Sequence, residues 1–156
     1  EPGDAFLYFG RLSPEKGLVT LVRAAARARV KVWLAGAGPQ RAALELEARA
    51  VNADVSFLGQ LSGDALYDAV RASRATVLAS EWYENGPISV LESFAAGKPV
   101  IAADIAGLPE HVTAGETGWL FPSGHVDALA ETLRRAADMP DARLIEMGRA
   151  ARAAAD

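Results

Sequence analysis

The stretch AFLYFGRLSPEKGLVTLVRAAARARVKVWLAG, residues 5–36, decides the architecture. Its first six residues, Ala5–Gly10, form a short run that is apolar throughout, as a strand covered on both faces requires. A polar loop follows to Gly17. Gly17–Arg29, rich in Ala, Leu and Arg, then reads as a helix. A second apolar run, Val30–Ala35, ends the unit. The same alternation continues outward through runs at Val55–Gly59, Thr76–Ala79, Val100–Ala103 and Gly118–Phe121, separated by helical segments at Pro39–Ala50, Gly63–Ser73 and Pro87–Gly97. Two further helices, about His125–Asp138 and Asp141–Ala155, close the chain. In the first of these, Val126, Leu129, Ala130 and Leu133 share one face at helical spacing. Repeated strand–helix units imply right-handed crossovers and a parallel sheet. The predicted fold is therefore α/β: a doubly wound, Rossmann-like sheet of about six strands flanked by helices. Such sheets bind ligands beyond the carboxyl ends of the strands, where the strand order reverses. The loops after the strands are where function is to be sought.

Composition narrows the function. The 156 residues suit one compact domain, and 51% hydrophobic with 23% charged residues is the balance of a soluble globular protein. A net charge of −4 gives no electrostatic case for nucleic acid. The absence of cysteine excludes disulfides and thiolate metal sites, and fits a reducing, cytoplasmic setting. No apolar stretch approaches the ~20 residues of a membrane span. The chain opens with Glu1 and not Met, so residues are expected upstream. Lysine is scarce, at Lys16, Lys31 and Lys98.

The first loop, Gly10-Arg11-Leu12-Ser13-Pro14-Glu15-Lys16-Gly17, sets two cations five residues apart between a strand and a helix start. Free N–H groups and the positive end of the dipole are available there. It reads as a diphosphate site, or as a solvated loop whose cations pair with Glu15. The second, Gly36-Ala37-Gly38-Pro39-Gln40-Arg41, half-matches the dinucleotide fingerprint, but Arg41 fills the third glycine position and Asp54 lies at the wrong end of its strand. A tight turn with Pro39 at the first helical position is the commoner explanation. The third, Gly59-Gln60-Leu61-Ser62-Gly63, offers an apolar wall to a flat base, or simply a turn with Ser62 capping the next helix.

The fourth loop and its helix run Ser80-Glu81-Trp82-Tyr83-Glu84-Asn85-Gly86-Pro87-Ile88-Ser89-Val90-Leu91-Glu92-Ser93-Phe94-Ala95-Ala96-Gly97. Asn85 or Gly86 caps the helix and Pro87 preorganises its first turn. Val90, Leu91 and Phe94 are expected to face the core. Glu92, the one ionisable group between Pro87 and Gly97, is expected to be partly buried and to need a cation or a ligand's hydroxyls. Glu84 stands eight residues earlier. The two acids grip different parts of one elongated ligand around the helix N-terminus, or Glu84 is solvated and Glu92 pairs with an Arg or Lys.

These residues, in this order, resemble the C-terminal domain of GT-B glycosyltransferases, the GT4 family in particular. The matching segments are Gly10-Arg11-Leu12 with Glu15-Lys16-Gly17, Leu34–Pro39, Phe57-Leu58-Gly59, the Glu-x7-Glu pair Glu84–Glu92, Gly97–Ile101, Gly107–Glu110 and Gly115–Gly118. The resemblance covers nearly the whole chain. It implies the C-terminal half of a GT-B fold, a nucleotide-sugar donor domain spanning 1–156, with the N-terminal acceptor domain absent from this chain. Arg11 and Lys16 would bind the donor diphosphate and stabilise the leaving nucleotide without a metal or other cofactor. Glu84 would hold hydroxyls of the transferred sugar, and Asn85, Gly86 and Pro87 would shape the sugar and phosphate pocket. Leu91 would lie near the phosphates, Glu92 would hold the ribose hydroxyls, and Gly10, Gly36, Gly38 and Leu61 would border the nucleotide. The activity implied is retaining transfer of a glycosyl group to an acceptor, in polysaccharide or glycoconjugate synthesis. The partners implied are a nucleotide sugar, an acceptor reached through the N-terminal domain, and a membrane surface for the full-length protein. The residues Arg11, Lys16, Glu84 and Glu92 together supply the cations that a departing diphosphate needs and the carboxylates that orient a sugar.

Two departures stand out: Ala106 precedes Gly107 where the family often has Gly, and Ser93 replaces the usual Ala. His111 and His125 lack paired ligand spacing and read as surface or packing residues. Two alternatives remain open. One is a sugar-nucleotide epimerase or phosphorylase of the same fold. A phosphorylase would need a pyridoxal-phosphate lysine, and Lys98, on a surface-like Gly-Lys-Pro turn, is the only later one. The other is a non-catalytic sugar-nucleotide-binding module.

Overall fold

A computed structural model describes residues 2–82, 88–105 and 107–155. Six strands, β1 (Ala5–Phe9), β2 (Lys31–Ala35), β3 (Asp54–Phe57), β4 (Ala75–Leu78), β5 (Val100–Asp104) and β6 (Gly118–Pro122), form one parallel sheet in the order β3-β2-β1-β4-β5-β6. This is the doubly wound order, and its reversal falls between β1 and β4. The helices are α1 (Leu18–Ala28), α2 (Arg41–Ala50), α3 (Gly63–Ala72), α4 (Ile88–Ala95), α5 (Val126–Asp138) and α6 (Asp141–Ala155).

The uniformly apolar β1 behaves as its sequence dictates, since both faces are covered. Phe6 and Tyr8 point into a cluster built with α1, α2 and α5, while Leu7 and Phe9 enter a second cluster with Val70 of α3. In β5, Ile101 and Ala103 join the first cluster; Val100 and Ala102 join a third with Val90 and Phe94 of α4. Helix α6 bridges the two, adding Leu144 and Met147 to one and Ala151 to the other. Gly148 makes the crossing possible, because a methyl there would strike the Gly97 carbonyl at the end of α4. The edge strand β3 alternates instead, with Asp54 and Ser56 exposed.

Local expectations are corrected in three places. Helix α2 begins at Arg41 with Gln40 as N-cap, so Pro39 shapes the preceding turn and is not a helical residue. Ser62 occupies the N-cap of α3 but its hydroxyl makes no capping bond. Lys98 is buried, at 9% exposure, not on the surface. Both histidines, His111 and His125, are exposed.

Candidate functional site

The loops that follow β1 and β4 meet at the topological switch. Gly17 adopts φ 66° and packs so tightly that a side chain would strike the Ala79 carbonyl. The Glu81 amide donates to the Glu15 carbonyl at 2.9 Å, and the Thr20 hydroxyl donates to Glu81 Oε2 at 2.6 Å. Ser123 adds a bond from the β6 side to the Ser80 carbonyl at 2.8 Å. The first loop is tied equally firmly to the second. Gly10 N–H reaches the Ala35 carbonyl and Leu12 N–H the Ala37 carbonyl, both at 3.0 Å. Methyl groups at Gly36 and Gly38 would collide with the carbonyl oxygens of Gly10 and Leu12. The half-match to a dinucleotide fingerprint is thereby explained: these glycines let two loops touch.

Two clefts open at this end of the sheet. The larger, about 390 Å³, is bounded by Gly10, Arg11, Gly36, Gly38, Gln60 and Leu61. The smaller, about 60 Å³, lies between Tyr8, Gly10, Lys16, Leu78, Ser89 and Leu108. Phe9 and Gly10 belong to both, so the clefts adjoin, with Arg11 in one and Lys16 in the other. Tyr8 fixes the backbone between them by donating its hydroxyl to the Arg11 carbonyl at 2.7 Å. Glu15 leans on this cationic loop: its own backbone N–H first, then the Ser13 hydroxyl at 2.8 Å, and lastly Lys16 and Arg11 hold its carboxyl below the usual carboxylate range. Among the described residues Arg11 forms no ion pair.

Helix α4 presents its first described turn to the smaller cleft through Ser89. Helical spacing turns Val90, Ser93 and Phe94 inward. Leu91 is 44% exposed, contrary to the expectation of a core position, and Glu92 is exposed, contrary to the expectation of burial. The physical reason is phase: with 90, 93 and 94 inside, 91 and 92 must point away. Glu92 lies one helical turn beyond Ser89 and lines neither cleft. Trp82 and Ile88 are exposed apolar residues, at 70% and 67%. Glu84, Asn85, Gly86 and Pro87 lie outside the described residues, as does Ala106. Ser93, the departure from pattern, is accommodated by a partner: it accepts from Thr76 Oγ1 at 2.8 Å and donates to the Ser89 carbonyl at 2.7 Å.

Sequence reasoning missed Tyr8, Leu78, Ser89 and Leu108 as cleft residues. Of these only Leu108 carried a signal, being part of the Gly-Leu-Pro-Glu segment. Among the described residues, no group of three or more His, Asp or Glu side chains is placed to hold a metal ion. No helix among them is long and apolar enough to cross a membrane.

Comparison with known proteins bears on the family and the fold. The model of the family described as "Glycosyl transferases group 1" matches residues 1–154. A D-inositol 3-phosphate glycosyltransferase of Streptomyces scabiei is 36% identical over 174 residues, which takes in 99% of this chain and 38% of that protein. The crystal structure of Anabaena Alr3699/HepE in complex with UDP superposes with a TM-score of 0.89 at 25% identity, over 98% of this chain and 44% of that one. The sucrose-phosphate synthase of Thermosynechococcus elongatus gives 0.87 at 32% identity, over 98% and 40%. The chain thus spans well under half the length of these relatives.

Proposed function

The chain belongs to the group 1 glycosyl transferases of GT-B fold, and on that premise we propose that it is the donor domain of a retaining GT4 glycosyltransferase. Residues 1–156 bind a nucleoside-diphosphate sugar, and an N-terminal domain brings the acceptor. The observation that carries this reading is the pair of adjoining clefts at the switch point, with a cation in each and Gly10 between them.

The roles proposed are those the family resemblance implies. The larger cleft, walled by Leu61 and the Gly36–Gly38 backbone, takes the base and ribose. Arg11 and Lys16 take the diphosphate, with Leu91 and the first turn of α4 on its other side. Glu92 reaches the ribose hydroxyls, and Glu84 holds the sugar, with Asn85, Gly86 and Pro87 shaping the pocket around it. In the transfer step the bond from the anomeric carbon to the diphosphate oxygen breaks, and that oxygen keeps the electron pair. The acceptor oxygen bonds to the same face of the carbon and its proton passes to the departing phosphate. Charge builds on the diphosphate as it leaves, where fixed cations lower the barrier most. No metal is assigned to the step. The UDP and UDP-glucose complexes of the Anabaena neighbour support a nucleoside diphosphate as the ligand. We infer a cytoplasmic protein acting in polysaccharide or glycoconjugate synthesis and touching the membrane peripherally in its full-length form. The isolated domain transfers little or nothing, because half of the site is contributed elsewhere.

The test is a thermal-shift screen of UDP, GDP and ADP and their sugars. One nucleoside diphosphate should raise the melting temperature, and Lys16→Ala and Glu92→Ala should each weaken the effect. Equal, small responses to every nucleotide would count against a dedicated donor site.

A further inference from the structure

A separate cavity of about 240 Å³ lies at the opposite end of the sheet, where α3 leads into β4 and α4 leads into β5. Every ionisable side chain lining it is a cation: Arg71, Arg74, Lys98, Arg149 and Arg152. That concentration stands out in a chain of net charge −4. Three of the five are already engaged. Arg74 donates to the carbonyls of Ala136, Met139 and Gly3 and sits 3.4 Å from Asp141, whose side chain is largely exposed. Arg152 donates to the Ala95 carbonyl at 3.1 Å, and Arg71 lies over the Tyr67 ring.

Lys98 is different. At 9% exposure its stem is packed away, while its ammonium, which makes no hydrogen bond or ion pair among the described residues, keeps contact with solvent. Burial, then the proximity of Arg71 and Arg74, holds its pKa below the ordinary lysine value. An ammonium beside guanidinium groups, in a cavity lined by no carboxylate, is a like-charge arrangement that an anion would relieve. Guanidinium forks match phosphate oxygens in pairs, whereas a lysine contributes a point charge.

We propose that this cavity binds the phosphate group of a small phosphorylated metabolite, with the Lys98 ammonium as a central contact and Arg149 and Arg71 closing over it from the rim. The site is separate from the donor clefts and does not depend on the donor reading.

Inorganic phosphate is the probe, compared with sodium chloride at matched ionic strength. Millimolar phosphate should raise the melting temperature of the 156-residue chain by about 2–5 °C. Lys98→Met, which keeps the packing of the stem, should abolish the rise, and Lys16→Ala should leave it intact. Arg149→Ala and Arg71→Ala, both at exposed positions, should weaken phosphate affinity by roughly tenfold each in calorimetry, and they carry the test if Lys98→Met does not fold. No rise beyond chloride would overturn the proposal. So would a rise that Lys16→Ala removes and Lys98→Met spares. Co-sedimentation with phosphatidylglycerol vesicles, lost in Arg149→Ala but without any response to free phosphate, would assign the patch to a lipid surface and contradict a metabolite site.

Discussion

Thr76 and Ser93 share a buried hydrogen bond between β4 and α4, and Ser93 passes a second bond to the Ser89 carbonyl. The chain therefore holds the first turn of α4, beside Lys16, with a polar relay where most of the interface is apolar. Ser93→Ala should be destabilising by about 1–3 kcal/mol, because it strands the Thr76 hydroxyl in the core. The double variant Thr76→Val with Ser93→Ala should recover most of that loss in urea unfolding, since both partners then become apolar. A double variant as unstable as the single one would show that the relay is not what matters there. The burial of the Lys98 stem is likewise set by packing and not by its sequence neighbours. A Gly-Lys-Pro turn looks exposed from its neighbours in sequence, and its burial depends on α6, which crosses about fifty residues later. Local sequence carries no information about that crossing.

The elements themselves were legible in the chain, for a physical reason. Strands covered on both faces read as unbroken apolar runs, and all six predicted runs appear as strands, with ends shifted by a residue or two. Helix α4 was legible as a helix but not in its phase. Its apolar residues, Ile88, Val90, Leu91, Phe94 and Ala95, surround the axis, so periodicity could not say which of them face inward. The structure separates them: Phe94 is 2% exposed and Leu91 44%. Phe94→Ala should therefore lower stability by about 3–5 kcal/mol, as large buried aromatics do when truncated. Leu91→Ala should lower it by less than about 1 kcal/mol while weakening nucleoside-diphosphate binding. Similar losses of stability in the two variants, read from denaturant midpoints, would contradict this orientation. The glycine pairs belong to the same scale. Their spacing suggested a nucleotide fingerprint, but contact between the β1 and β2 loops accounts for Gly36 and Gly38.

At the scale of the whole molecule, the fold puts two kinds of chemistry at its two ends. The carboxyl ends of β1, β2 and β4 carry the adjoining clefts with Arg11 and Lys16; the amino ends of β4 and β5 carry the cationic cavity around Lys98. The first end was readable in sequence because its loops follow strands in known order and carry paired cations and glycines. The second was not, because its residues come from α3, the turn before β5 and α6, and only folding brings them together. The proposed donor site lies at the switch between β1 and β4. Amide chemical-shift mapping by NMR during titration with UDP, or with whichever nucleoside diphosphate stabilises the chain most, tests it most directly. A donor site at the switch should give perturbations at residues 10–17, 36–38, 60–61 and 88–92, with the Lys98 and Gly148 amides unmoved. Perturbations centred on the Lys98 end, or spread evenly over the surface, would contradict it.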